Sequence, residues 1–421
     1  MSSTGDRRQA PGPTSVSTMA RPRRRGSTGH VLALVENVPF GIDTRLTKQV
    51  DALLERGYRV TVVSRQDPSN DVYRASGVEV LEFPAPPERP GVVGYAIEYS
   101  LAFLWAAALS CRALLRGRVD VIQVCQPPDV YLPLIRLFRA LGYGVVVDQR
   151  DLMSELYGSR YDHPRPVVIK ALKALERLSQ TSAHQVLCVN EFLRERAHAA
   201  GVVPDRVTVV RNGPVLGRVA RANPDPTLKR GRRHLCCWAG KMGRQDRLDL
   251  LLGAIRHLVY ELGRTDTQIV ILGDGECLEE TRRMAGELGL DDWVAFTDWV
   301  AEDTLFRHLA TADLGLDASL QEEVSPVKAI EYMAFGVPFV AFDLRETRAA
   351  AQDAAAYALP GDVEGLARAI NAMLDDATRR TEMGRAGRRR VEESLAWDRQ
   401  ASGYVQVIDG LRSRRRRRRS S

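Results

Sequence analysis

The feature that most constrains this chain is a rhythm: short apolar runs alternate with amphipathic stretches, once from residue 30 and again from residue 234. HVLALVEN (30–37) reads as a short buried strand. The segment 44–56 has apolar residues at helical spacing and stops at Gly57 as a C′ glycine, and YRVTVVS (58–64) is the next strand. That is a β-α-β unit, the opening of a parallel doubly wound sheet. Further strands are expected at 78–83, 120–125, 144–148, 185–189 and 207–210, with helices between most of them. The polar stretch 213–233, with Pro214, Pro224 and Pro226, reads as an interdomain linker. A second series follows: HLCCWAG (234–240), a helix from Leu248, QIVILG (268–273), a helix over 279–288, WVAFT (293–297), a helix over 303–312, LGLDAS (314–319), a helix after Ser325, and PFVAF (338–342). The last helices, 378–394 and 398–411, have no further strand to cover. At 421 residues the chain exceeds what one core of roughly 250–300 residues supports. The expected fold class is α/β, two Rossmann-like domains (30–212 and 234–394) facing across a cleft. Ligands of such sheets sit at the carboxyl ends of the strands.

Composition removes several alternatives. The longest uncharged apolar run, 100–111, falls short of the roughly 18–20 residues that cross a bilayer, and the first thirty residues contain no apolar signal core. The six cysteines (Cys111, Cys125, Cys188, Cys236, Cys237, Cys277) lack C-x-x-C spacing and read as reduced thiols of a cytoplasmic protein. The net charge of +7 sits in the tails: residues 1–29 carry +5 and 412–421 carry +7, so the body must carry −5. No basic face is left on the fold for nucleic acid, so no nucleic-acid partner is expected. Both tails, 1–29 and the Arg-rich 412–421, are too poor in apolar residues to order alone. The arginine tail serves solubility only, or it draws the protein to an anionic membrane surface at about 1 kcal/mol per basic residue. The stretch 95–118, with Tyr99, Phe103 and Trp105 before Arg112, Arg116 and Arg118, reads as a helix with a buried face; the alternative is contact with a membrane interface.

The stretch that carries chemistry is EEVSPVKAIEYMAFGVPFVAFD (322–343). Ser325 is a good N-cap and Pro326 suits the first helical position. The amides of Val327 and Lys328 would then be unpaired at a helix N-terminus, a site for an anion such as a diphosphate. Lys328 lies where a cation opposes the helix dipole, which a bound anion would explain. Glu323 and Glu331 stand eight positions apart, one at the helix mouth and one in its second turn. On spacing alone an ordinary solvated pair is the better reading; it weakens because the pair flanks a capped helix N-terminus in the second domain, and Gly336 and Pro338 close the helix.

The E-x7-E region followed by YMAFGVPFVA resembles the retaining GT-B glycosyltransferases of group 1 (family 4). VENVPFGIDTRL, DQRDLMSELYGSRY (148–161), VVRNGP (209–214), WAGKMGRQDRLDLLL (238–252), VILGDGE (270–276) and ALPGDVEGLARAI (358–370) match in order, so the resemblance covers about 30–410. It implies a nucleotide-sugar donor held by the C-terminal domain. Glu323 would contact donor sugar hydroxyls and support developing charge, Glu331 would bind ribose hydroxyls, and Lys241 and Arg247 would clamp the diphosphate with the usual Arg-then-Lys order exchanged. Cations there stabilise the leaving diphosphate as it gains charge. The other reading of that pair is a solvated loop of charges. Gly273 and Gly275 let backbone approach the donor, or form a plain strand-to-helix turn; the base would lie near 296–300. Gly41 is a point of ligand approach or a turn glycine. Many relatives have His-Asp where this chain has Arg150-Asp151, so donor or acceptor geometry is expected to differ. Asp151 and Glu155 are cleft candidates or helix-start acids. The final helix, 395–411, would cross back to the N-terminal domain.

The resemblance implies a retaining transfer to a hydroxyl acceptor, with no cofactor and no metal; none of the seven histidines lies in a metal-ligand pattern. Two other readings remain, a GT-B nucleotide-sugar epimerase and a catalytically silent scaffold supported only by Arg150. The lack of G-x-G-x-x-G disfavours a dinucleotide oxidoreductase.

Overall fold

The structure, a computed structural model, describes residues 28–85, 91–160, 163–219, 223–323 and 325–420. Strands β1 (His30–Leu34), β2 (Arg59–Arg65), β3 (Glu79–Phe83), β4 (Val121–Gln126), β5 (Gly144–Gln149), β6 (Gln185–Cys188) and β7 (Val207–Val209) form one sheet in the order β3-β2-β1-β4-β5-β6-β7. Strands β8 (His234–Ala239), β9 (Thr267–Leu272), β10 (Val294–Phe296), β11 (Leu314–Asp317), β12 (Phe339–Phe342) and β13 (Ala355–Ala358) form the second, in the order β10-β9-β8-β11-β12-β13. Pairing is parallel throughout, with His30 opposite Arg59 and Val121 opposite Gly144 in the first sheet, and His234 opposite Thr267 in the second. Helices cover both faces of each sheet. The central strands β1, β4, β5, β8 and β9 are therefore buried at every residue, and they read as apolar runs rather than alternations.

Three expectations need correction. The sequence reading ended the second sheet at 342, but β13 pairs with β12, Phe339 opposite Ala355. Its AAYA sequence lacks β-branched residues; the edge of β12 makes it a strand. The Arg-rich 412–421 stretch was expected as a disordered tail. Instead the final helix runs from Trp397 to Ser420, because arginine is a good helix former and the helix is nucleated upstream by packing. Trp397, Tyr404, Val405, Ile408 and Leu411 join the core on one face of the N-terminal sheet, and Tyr404 Oη donates to Gln123 Oε1 at 2.7 Å. The last helix thus belongs to the N-terminal lobe's core although its residues follow the C-terminal lobe in sequence. Residues 1–27 of the expected basic tail lie outside the described residues.

The third correction concerns the apolar stretch near residue 100. By length and composition, Ile97–Arg116 is enough to cross a membrane. It lies within the helix Gly91–Arg116, which crosses over from β3 to β4 and packs Ala102, Ala106, Leu109 and Ala113 into the core. Leu104, Trp105 and Leu115 on the same helix are exposed.

Candidate active site

Three loops at the carboxyl ends of the C-terminal strands meet at one mouth. After β8 the chain runs through Gly240, Lys241 and Met242 to a short turn, Arg244–Asp246, and then Arg247. After β9 it turns at Gly273 and Gly275, both with positive φ. A Cβ on Gly273 would collide with the Gly240 carbonyl, and one on Gly275 with the Met242 backbone. These two glycines are therefore required by the packing of one loop on the other, and the Met242 amide donates to the Asp274 carbonyl at 2.7 Å. A Cβ on Gly240 would in turn lie 3.5 Å from Cε of Lys328. The Lys241–Arg247 loop, the glycine turn and the Glu331 helix are thus in direct contact.

That helix spans Val327–Ala334. Its entry differs from the expected one. Pro326 occupies the N-cap, the Ser325 hydroxyl makes no capping bond, and the Val327 amide donates to the Ser325 carbonyl at 2.8 Å. The expected pair of unpaired amides is reduced accordingly. Lys328 is not left for an anion either. Its ammonium lies 2.5 Å from Asp246 Oδ1 and 3.7 Å from Asp317 Oδ1, with the Trp238 ring centroid 4.6 Å away. Burial opposes its charge, but Asp317 and Asp246 outweigh burial and hold its pKa above the usual value. Lys328 therefore ties the β8 loop to the helix. Tyr332, fully buried, fixes the same helix to two strand ends: its hydroxyl donates to the Leu316 carbonyl and accepts from the Ala239 amide, both at 3.1 Å.

Of the expected diphosphate clamp, Lys241 is exposed and forms no ion pair among the described residues. Arg247 has a left-handed backbone (φ 48°), and its guanidinium is held by both carboxylate oxygens of Asp249, at 2.9 and 2.7 Å. Asp249 occupies the Nε and Nη2 edge of that guanidinium, and the Nη1 donors are not part of the pair.

The opposite wall of the cleft reaches the two glutamates. Asn190, fully buried, caps the helix Glu191–Ala199 by accepting from the Leu193 amide at 2.9 Å, and its Nδ2 donates across the lobes to the Glu323 carbonyl at 2.8 Å. Glu346 binds the Phe192 amide at 2.8 Å and stands 3.5 Å from Arg211, a second bridge between the lobes. Glu331 forms no ion pair among the described residues, and its charge is felt by Lys48 of the N-terminal lobe. Burial raises its carboxyl to about 7, against the opposing pull of Lys48 and Lys328 and with reinforcement from Glu302. Lys48, on the helix Thr44–Glu55, donates to Asn212 Oδ1 at 2.5 Å and to the Gly213 carbonyl at 2.9 Å, and burial brings its pKa down to about 8. Asn190 and Lys48 were not singled out from the sequence. Asn190 before Glu191 has the look of a helix cap, but nothing local signals its partner 133 residues away.

The N-terminal candidates acquire other work. Arg150 does not stand free for substrate: it pairs with Asp43, approaches Asp148 Oδ2 at 3.2 Å and contacts Cys125 Sγ at 3.1 Å. Asp148 is also gripped by Arg45 through bonds of 2.7–3.2 Å. Burial would raise its pKa, yet Arg45 and Arg150 prevail and hold it at about 2. Gly41 is buried; a Cβ there would collide with Ser69, and its amide donates to Asn70 Oδ1 at 2.8 Å. Gly41 is a packing glycine. Glu155 faces Lys173 and Arg196, at 3.6 and 3.8 Å, on neighbouring helices. Asp151 remains exposed, its carbonyl accepting from Gln149 Nε2 at 2.6 Å. Among the described residues no three His, Cys, Asp or Glu side chains gather in a group able to hold a metal.

Two parallel-sheet lobes with a final helix returned to the first, and a cleft at the strands' carboxyl ends, define the GT-B class of fold. An Anabaena protein, HepE, solved in complex with UDP, superposes with a TM-score of 0.69 at 13% identity, covering 91% of this chain and all (100%) of that one. The family model "Glycosyl transferases group 1" matches residues 233–376, and "Glycosyl transferase 4-like domain" matches residues 40–213. The chain belongs to the group 1 glycosyltransferases. It is 27% identical over 402 residues to the GDP-mannose-dependent alpha-(1-6)-phosphatidylinositol monomannoside mannosyltransferase of Mycobacterium tuberculosis, covering 88% of this chain and 94% of that protein. Similarity to the MMP alpha-(1->4)-mannosyltransferase of Mycolicibacterium hassiacum, 29% identical, covers 38% of this chain and only 41% of that protein.

Proposed function

We propose that this glycosyltransferase moves a hexosyl unit from a nucleoside diphosphate sugar to a hydroxyl acceptor with retention of configuration and without a metal. The observation that carries the reading is the contact of the Lys241–Arg247 loop, the Gly273–Gly275 turn and the Glu331 helix at one mouth, with the Glu323 carbonyl held from the opposite lobe. Lys241 neutralises the diphosphate, and Arg247 joins it through Nη1, the donor that Asp249 does not take. Both stabilise the departing phosphate more than the intact donor. Glu323 supports the sugar ring as positive charge develops on it, and Glu331 accepts from the ribose hydroxyls. The acceptor attacks from the face that the diphosphate vacates, and a phosphate oxygen takes its proton.

Mannosyl transfer to a glycolipid is the favoured instance, since the Mycobacterium tuberculosis relative carries GDP-mannose and phosphatidylinositol in its name. Work at the cytoplasmic face of a membrane suits such an acceptor, and the exposed Leu104, Trp105 and Leu115 suit peripheral contact with it. The test is release of nucleoside diphosphate from a panel of donors, with and without acceptor extracts. Acceptor-dependent release with the product anomer matching the donor's supports the reading. Glu323→Ala is to abolish turnover with modest loss of nucleotide binding, whereas Lys241→Ala weakens both. Wild-type rates in both variants refute the site. An altered free nucleotide sugar would instead indicate the epimerase.

A further inference from the structure

The carboxyl ends of the strands hold the transfer site; the amino ends of the N-terminal sheet hold something different. There, four guanidinium groups line one cavity of about 610 Å³: Arg136 and Arg139 from the helix Leu132–Ala140, Arg206 just before β7, and Arg414 from the final helix. Ser182 and His184, before β6, complete the wall. None of the four arginines forms an ion pair among the described residues, although this chain pairs many of its other arginines with carboxylates. Gathering like charges without counter-charge is unfavourable unless something negative answers them.

Part of the answer is internal. Arg139 donates to the Ser182 carbonyl at 2.8 Å, and Arg206 to the Thr181 and His184 carbonyls, both at 3.1 Å. The bonds to Thr181 and Ser182 cap the negative end of the helix Pro166–Ser182, and with the His184 bond they account for two of the arginines. They do not account for Arg136, whose one hydrogen bond among the described residues is Nε to Ser182 Oγ at 3.2 Å, or for Arg414. Arg414 is also held in place by its neighbours. Arg415 stacks on Tyr143 at 3.8 Å and is buried, while Arg412 donates to the Thr28 carbonyl and lies 5.7 Å from the Tyr58 ring centroid. Each guanidinium carries five N–H donors, so all four keep donors for a ligand. Burial, then the like charges of Arg139 and Arg414, push the Arg206 pKa below its usual value.

We propose that Arg136, Arg139, Arg206 and Arg414 form a phosphate-binding site remote from the transfer cleft, shaped for a phosphomonoester or diphosphate carried on a lipid headgroup or free in solution. Planar guanidinium forks match such oxygens. The site needs no part of the transfer chemistry, so it stands or falls separately from the proposed reaction.

The test uses the full chain. Hydrogen exchange with and without sodium pyrophosphate reads the free-phosphate source through protection of 136–144, 181–184 and 206–209. Protection of 240–247 reports the transfer cleft and is scored apart. Co-sedimentation with phosphatidylcholine vesicles, with and without phosphatidic acid, reads the lipid source. The double variant Arg136→Gln/Arg414→Gln spares the two arginines that cap the Pro166–Ser182 helix, and it is expected to lower affinity in the positive arm about tenfold or more. Arg417→Gln against Arg414→Gln compares position at constant charge. Protection by pyrophosphate lost in the double variant assigns a soluble phosphate ligand. Binding only to phosphatidic acid vesicles, again lost in the double variant, assigns a lipid headgroup. No binding in either arm, or loss that is equal in Arg417→Gln and Arg414→Gln, overturns the proposal and leaves the arginines as helix caps and diffuse charge.

Discussion

Glu331 provides a quantitative check on the cleft. Burial lifts its carboxyl from 4.5 to about 7 against the pull of Lys48 and Lys328. Between those values the folded protein holds a proton that the unfolded chain has released, so stability falls as pH rises through that window and levels off above it. Each pKa unit corresponds to about 1.4 kcal/mol, which sets a ceiling near 3 kcal/mol; water at the cleft mouth reduces it to roughly 1–3 kcal/mol. Glu331→Gln cannot titrate. It is expected to be more stable than wild type by that amount near pH 8 and by little near pH 5. Lys48 loses a counter-charge in the variant, and its own pKa, already about 8, is driven lower, which trims the gain. Urea denaturation of both proteins at the two pH values measures the difference. A variant-minus-wild-type stability equal at both, within about 0.5 kcal/mol, refutes the buried, proton-holding carboxyl. Added stability bought at the cost of nucleotide affinity would be the trade expected of a site residue.

Other outcomes follow from named contacts. Asn190→Ser keeps a helix cap but loses the bond to the Glu323 carbonyl; kcat is expected to fall about two- to tenfold with the melting temperature nearly unchanged, while Asn190→Ala also loses about 1 kcal/mol of stability. Equal kcat in Asn190→Ser and wild type would show that the cross-lobe bond does not position Glu323. Asp148→Asn leaves Arg45 and Arg150 partly uncompensated and should cost about 3–5 kcal/mol in urea unfolding. The stability that ionised Asp148 contributes is present above pH 3.8 and lost as pH falls toward 2, so acid titration of wild type against the variant gives a second readout. Ile408→Ala should cost about 2–5 kcal/mol, because the fully buried Ile408 fills the core of the other lobe's sheet; a loss under about 1 kcal/mol would mean the final helix is only loosely docked.

Much of the fold was written locally. Apolar runs at β1, β2, β8 and β9, the Gly57 stop and the helix over 44–56 are short-range signals, and the alternation of strand and helix leaves few topologies open. The order of motifs from 30 to 410 also carried the family. What failed locally failed for one reason. The AAYA strand has no intrinsic preference, and only an edge of β12 gives its amides partners. The arginine run looks unstructured by composition, and becomes helix because Leu411 and the residues before it are already buried.

At the site the division is sharper. The resemblance carried by the motifs assigned Lys241, Arg247, Glu323 and Glu331 to one region of the C-terminal lobe; spacing alone left each of them an ordinary solvated charge. Only tertiary structure decided what each side chain faces. Lys328 answers Asp246 and Asp317 rather than a ligand, Arg150 locks Asp148 and Asp43, and Asn190 reaches Glu323 across the lobes. Charges and hydrogen-bond donors find partners within a few ångströms in space, and the chain separations involved, up to 133 residues, leave no trace in any local pattern.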